Sequence, residues 1–471
     1  MNSENFDVIV VGSGPAGQKA AIQAAKAGKR AAVIEKGRGA GGACVHYGTI
    51  PSKTLRETTL AWSSFRRRTS ATVGLKLPEN TKVAALMAHL DTVVRAHEKY
   101  IADQLTRNGI AFVQGVARLT SPHDFEIQCL DGSKRKLRGE IVVLAPGSRP
   151  RTPPEIPVDH EHILDSDSIL SLIYLPASMA VLGSGVIACE YASIFAALGV
   201  KVSLIDKSPL PLGFLDPEIS RRFQHGFEAL GGEFMGGRKI ARVEFDGLEV
   251  AVDLEGGEKV RVEKMLCAQG RVACLDGLNL EAAGLSSKDR YIAVNANYQT
   301  AVPHIYAAGD VIGPPALAAS SMEQGRRAVC HALSLSPGGN GELVPIGIYA
   351  LPEVASVGLS EQDALKRFGA CMVGRAKFAE LARGHIAGIT DGLLKMVADE
   401  AGRKLLGIQI VGEGAADLIS VGQMGLISGC DVDLFIEHTF NFPTLVEAYR
   451  VAAFDLVEQR INKFAQAAAG T

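Results

Sequence analysis

Two stretches of the sequence carry glycines at the spacing needed to receive a pyrophosphate. They read "DVIVVGSGPAGQKAAIQAAKAGKRAAVIEK" (7–36) and "MAVLGSGVIACEYASIFAALGVKVSLIDK" (179–207). Each runs from an apolar segment through G-x-G-x-x-G/A into an alanine-rich stretch, then a second apolar run that ends on an acid. Gly12 to Glu35 is 23 residues, and so is Gly183 to Asp206. Gly12 and Gly183 permit the tight turn, and Gly14 and Gly185 let the backbone approach phosphate. Gly17 and Ala188 allow a helix to pack closely on a sheet, and the N-terminus of that helix attracts the anion. Glu35 and Asp206 then stand where a ribose 2′-OH can donate to them. A single such motif is weak evidence. The full strand, turn, helix, strand and acid context, present twice, predicts two dinucleotide sites.

A third stretch, "GGACVHYGTIPSK" (41–53), carries a different chemistry, and an incomplete one. A Cys-x4-Cys pair here would form a redox disulfide, but Thr49 stands five residues after Cys44. A hydroxyl cannot exchange with a disulfide, because that reaction needs a thiolate. Cys44 is therefore read as a packed thiol. The eight cysteines are scattered without a C-x2-C, which argues against zinc or an iron-sulfur cluster. His160 and His162 form a close pair without a supporting ligand set, so no metal site is expected.

The elements that must position these residues follow from hydropathy. The apolar runs suit buried parallel strands, and the alanine-rich stretches suit crossover helices. A helical stretch spans roughly 52–107, and "IVVLAPGSRP" (141–150) reads as a strand ending in a turn, a hinge between domains. "TAVPHIYAAGD" (300–310) ends another strand on Gly309-Asp310, and "SPGGNG" (336–341) is a linker by composition. From about Pro345 the pattern alternates strands with helices, as an antiparallel sheet with helices would.

With 471 residues, 47% hydrophobic and 21% charged, the chain can build about three domains around large cores. A net charge of -2 gives no electrostatic reason to expect nucleic acid or an anionic membrane. No stretch reaches the length and apolarity of a membrane span. The N-terminal "MNSENFDVIVVG" runs almost directly into a strand, leaving no room for a signal peptide, so the expected location is the cytoplasm.

Taken together, the two fingerprints, "GGACVHYGTIPSK", "APGSRP", "AQGR" (268–271), "IYAAGD", "LPEVASVGLSE" (351–361) and "FPTLVEAYR" (442–450) resemble the flavoprotein pyridine nucleotide-disulfide oxidoreductase family over essentially the whole chain. Within it, "HYGTIPSK", "LDSDSIL", "CEYASIF", "GDVIG" and "TFNFPTLVEAYRVAA" are most similar to its soluble, energy-independent transhydrogenase branch. The resemblance implies an α/β fold: two Rossmann-like domains, for FAD and NAD(P), plus a C-terminal α+β dimerisation domain. The expected division is 1–150 with 276–344 for FAD, 151–275 for NAD(P), and 345–471 for the interface. FAD would bind the first fingerprint and NAD(H) or NADP(H) the second. Asp310 would hold the ribityl or phosphate region, and Lys53 would sit near flavin N5 and pair with Glu190. Gly147, Gly270 and Arg271, in the "APGSRP" and "AQGR" motifs, would complete the cofactor contacts. A homodimer is implied, with a larger assembly left open.

In disulfide-reducing members, a histidine in an H-P-T-x-x-E segment takes the thiol proton. Here Phe442 stands at the histidine position, while Glu447 keeps the acid position. A phenyl ring cannot move a proton, so this loss agrees with the loss of the second thiol. What remains is a flavin with a nicotinamide site and no thiol relay. That suits hydride transfer between NAD(H) and NADP(H) in ping-pong fashion. Two alternatives stand beside it: an NAD(P)H oxidase or diaphorase serving oxygen, a quinone or a protein, and a flavin-bound nucleotide sensor with little turnover. Asp206 favours NAD(H), because it repels a 2′-phosphate.

Overall fold

A computed structural model describes residues 3–73, 83–288, 290–339, 341 and 343–469. The chain divides into two compact units. One comprises Met1–Leu55, Val83–Arg151 and Gly270–Gly341, the other Arg56–Lys82, Thr152–Gln269 and Glu342–Thr471.

In the first unit, the opening apolar run forms strand Glu4–Val11 at the centre of a sheet. It pairs in parallel with Ala31–Glu35 on one side and Lys134–Leu144 on the other. Ile305–Ala307 extends the sheet in parallel beyond Lys134–Leu144, and Ala111–Leu119 extends it beyond Ala31–Glu35. Val8, Ile9 and Val10 have no exposed surface, because both faces of this strand are covered. That is why it reads as an unbroken apolar run rather than an alternating one. Each such side chain contributes about 1.5–3 kcal/mol by leaving water. The expected helical stretch is two helices, Thr49–Val73 and Val83–Arg107, and residues 74–82 lie outside the described residues. Of the linker 336–341, residue 340 also lies outside them.

The second unit holds two larger sheets. Glu233–Gly236, Lys201–Asp206, Ser178–Leu182, Lys264–Cys267 and Ile163–Asp165 lie side by side in that order, all parallel. Beside them runs an antiparallel three-stranded sheet of Ile240–Phe245, Val250–Leu254 and Lys259–Val262. The C-terminal stretch forms a five-stranded antiparallel sheet, with Leu405–Val411 at its centre between Val354–Gly358 and Leu393–Ala398. Helices Ala415–Ser428 and Ala448–Ala469 close a core there that includes Ile408, Ile410, Tyr449 and Leu456. Among the described residues, no helix is long and apolar enough to cross a membrane.

Candidate nucleotide and cofactor sites

The first fingerprint turns between strand Glu4–Val11 and helix Pro15–Lys26. Gly12 has φ +98°, and a Cβ there would stand 2.2 Å from the Ala145 carbonyl oxygen, so only glycine fits. A Cβ on Gly17 would stand 1.9 Å from the Gly12 oxygen, which is the close helix approach that the spacing predicts. Gly14 differs from both. A Cβ there would meet nothing within 4 Å, and as N-cap of the helix it offers no side chain to the first N–H groups. The first turn's N–H groups, which lack intrahelical partners, and the positive end of the helix dipole therefore face open space, the setting a pyrophosphate requires.

Glu35 closes strand Ala31–Glu35 and is buried. One of its carboxylate oxygens accepts the Ser13 N–H at 2.8 Å and the Ser13 hydroxyl at 2.6 Å, and the other accepts the Gly37 N–H at 2.7 Å. A carboxylate has about four acceptor sites, so room for a ribose hydroxyl remains. Ser13 was not among the residues singled out from the sequence. Its hydroxyl also accepts the Gly41 N–H at 2.9 Å, tying the cysteine loop to the fingerprint. The Gly41-Gly42 pair was the available signal: a Cβ on Gly42 would stand 2.9 Å from the Gly14 Cα.

Cys44 lies in the short helix Gly42–His46, and Thr49 opens the long helix that follows. Burial pushes the Cys44 thiol above its ordinary value. A hydrogen bond with the Thr49 side chain and the charge of Lys53 pull the other way, and Asp310 adds to the rise. Cys44, Thr49, Lys53 and Asp310 are thus brought together. Lys53 Nζ donates to the Ser52 hydroxyl at 3.3 Å. Asp310 accepts the Ser148 hydroxyl at 2.5 Å, and Arg271 donates through Nε to that hydroxyl and through a terminal nitrogen to the Ser148 carbonyl, both at 2.8 Å. The link exists because Ser148–Pro150 and Arg271–Ala273 pair as an antiparallel ribbon. Gly147 and Gly270 take positive φ beside the two strands. The "APGSRP", "AQGR" and "AAGD" motifs, far apart in sequence, therefore converge on one carboxylate.

The second fingerprint repeats the first. Gly183 has φ +103°, and its Cβ would stand 2.6 Å from the Ala268 oxygen. Gly185 is the uncapped N-cap of helix Val186–Ala197 and faces open space, and Ala188 is fully buried. Asp206 ends strand Lys201–Asp206 and is half-buried. One of its carboxylate oxygens accepts the Ser208 N–H at 2.6 Å. Lys201 and Lys207 are exposed.

Lys53 belongs to the first unit and Glu190 to the second. Glu190 is 3% exposed, and its carboxylate accepts the Tyr349 N–H at 2.9 Å. Glu447 forms a capping box with Thr444 at the start of the C-terminal helix. Its carboxylate has a structural task of its own, and Phe442, five residues earlier, is exposed.

Comparison with known proteins adds the following. The family profile described as pyridine nucleotide-disulphide oxidoreductase matches residues 6–325, and that family's dimerisation domain matches residues 344–453. A soluble pyridine nucleotide transhydrogenase of Mycobacterium bovis is 40% identical over 465 residues, covering 98% of this chain and 99% of the relative. One from Escherichia coli is 39% identical over 462 residues, covering 96% and 98%. The crystal structure of LpdA from Mycobacterium tuberculosis superposes with a TM-score of 0.87 at 26% identity, covering 96% of this chain and 99% of that one.

Proposed function

This chain belongs to the pyridine nucleotide-disulphide oxidoreductase family, and within it we propose a transhydrogenase that exchanges hydride between NAD(H) and NADP(H). The family uses FAD and NAD(P)H. The residues present suit both: each fingerprint ends in an uncapped helix N-terminus beside a glycine with open space where a Cβ would stand. When bound, FAD supplies a two-electron store that accepts a hydride and gives it back.

The observation that carries the proposal is the partner of Cys44. Thr49 sits at the thiol where a second sulfur would be needed, and burial holds the thiol above its usual value and so protonated near neutral pH. A protonated thiol is a poor nucleophile, and Cys44 forms no disulfide. Cys44 and Thr49 fill space beside the cofactor, and Lys53 supplies a positive charge there. Gly12, Gly14, Gly17, Glu35, Gly147 and Asp310 hold FAD, with Gly270 and Arg271 fixing Asp310 through Ser148. Gly183, Gly185 and Asp206 hold the nucleotide, with Glu190 a buried acid on the helix that follows the second fingerprint. Glu447 positions the last helix rather than moving a proton.

Several further features support the setting. The matched dimerisation profile agrees with a homodimer, as do Met424, Ile427, Phe454 and Ile461, which are apolar and 48–61% exposed. Eight cysteines outside any disulfide suit a reducing compartment such as the cytoplasm.

The test is steady-state transfer from NADPH to the thionicotinamide analogue of NAD+. Parallel double-reciprocal lines are expected, the signature of ping-pong exchange. Cys44→Ser is expected to keep most of the wild-type rate. Loss of transfer in that variant, without loss of FAD, would restore the thiol as a redox group and remove the proposal.

A further inference from the structure

The geometry points to Arg238 as the anchor for the 2′-phosphate of NADP(H), which lets one site take both nucleotides around Asp206. This rests on the second fingerprint being the nucleotide site. Asp206 alone suits NAD(H): it accepts ribose hydroxyls and repels a phosphate. An enzyme that serves both nucleotides needs a compensating cation.

The fold supplies another cation from the neighbouring strand. Glu233–Gly236 runs parallel to Lys201–Asp206, with Gly236 level with Asp206. Just beyond the strand ends, the Gly237 N–H donates to the Ser208 carbonyl at 3.1 Å and the Arg238 N–H to the Asp206 carbonyl at 3.0 Å. The crossing is close: a Cβ on Gly236 would stand 3.1 Å from the Pro209 carbonyl oxygen. Arg238 is therefore fastened to Asp206 at the carboxyl edge of the strands, where open α/β sheets receive their ligands.

The side chain is about half exposed, and its Nε donates to Glu258 at 2.9 Å. An exposed pair of this kind holds weakly and exchanges readily. A guanidinium carries five N–H donors in a planar fork, so beyond Nε it can still take a phosphate with two parallel bonds. Glu258 thus holds the guanidinium when NAD(H) is bound. A 2′-phosphate offers it a doubly charged partner and offsets the repulsion from Asp206.

Calorimetric titration of the FAD-loaded protein with 2′,5′-ADP and with ADP tests this, because the first carries the 2′-phosphate and the second does not. Arg238→Gln is expected to weaken 2′,5′-ADP by roughly tenfold or more relative to ADP, with Arg238→Lys in between. Equal weakening of both ligands, or of neither, overturns the assignment. Asp206→Asn is titrated in parallel and is expected to shift preference toward 2′,5′-ADP. If Asp206→Asn shifts preference and Arg238→Gln does not, the role of Arg238 alone is overturned. If neither variant changes either affinity, the nucleotide reading of the second fingerprint falls with it.

Discussion

Gly14→Val is expected to yield a folded protein that purifies without FAD. The two halves of that result have separate causes. Gly14 has φ -65° and ψ -178°, a conformation that any L-residue adopts, and a Cβ there meets nothing within 4 Å of the protein. The substitution therefore costs the fold little. The space that the valine would fill is the space in front of the uncapped helix N-terminus, where a pyrophosphate must lie against the backbone. Gly17→Val makes the contrast, since its Cβ would be forced to 1.9 Å from the Gly12 oxygen and would disturb the turn itself. The measurement is released FAD per chain, with circular dichroism as the check on folding. Gly14→Val with full FAD occupancy would mean that the first fingerprint does not hold the cofactor.

Lys395→Met is expected to destabilise the second unit by about 3–5 kcal/mol, the usual cost of removing one partner from a buried ionic group. Lys395 is 1% exposed on strand Leu393–Ala398. Its ammonium lies 2.9 Å from Asp216, 3.1 Å from Glu218 and 2.6 Å from Glu361, and Arg375 bonds Glu218 as well. Burial opposes the Lys395 charge, but the hydrogen bonds it donates to Asp216 and Glu361 outweigh it and hold the amine above its ordinary value. Burial likewise opposes the Glu218 carboxylate, and Arg375 and Lys395 overcome that and hold it below the ordinary carboxylate range. A carboxylate lowered in the folded state stabilises above its unfolded value, and the gain is lost as pH falls through the folded one. The gap between wild type and variant should therefore be full near neutral pH and shrink below roughly pH 4. Chemical denaturation at pH 7 and at acid pH reads this. An unchanged midpoint at pH 7 would mean that the cluster contributes nothing net.

The two sites differ in how much of them is local in sequence. Gly14 was legible from sequence, because the fingerprint is a local device: backbone geometry demands glycine at fixed offsets, and the offsets are printed in the chain. The same holds for the strand and helix order around each fingerprint and for the antiparallel C-terminal sheet. The Lys395 cluster was not legible. Its members at 216, 218, 361, 375 and 395 meet only in the folded unit, and one lysine inside "LLKMVAD" looks like the solvent side of a strand. In fact all six residues of Leu393–Ala398 are buried, because both faces are covered. Arg238 was hidden for a related reason, since only the parallel register of Gly236 with Asp206 brings its backbone beside Asp206.

Between these extremes lie residues whose motif was visible and whose task was not. Ser148, Arg271 and Asp310 each sit in a quoted motif, but the ribbon that links them is a long-range pairing. Glu447 drew attention as the surviving acid of a catalytic segment. The Thr444-x-x-Glu447 spacing is also the local signature of a capping box, and the two side chains form one.

Under the proposed function, electrons enter and leave through nicotinamide, with no thiol relay. Anaerobic reduction of the enzyme with NADH, followed by mixing with NADP+ or with a disulfide such as lipoamide, tests it most directly. NADP+ is expected to reoxidise the flavin and appear as NADPH, while lipoamide and glutathione disulfide leave the flavin reduced. Rapid reoxidation by either disulfide, with NADP+ inert, would contradict it.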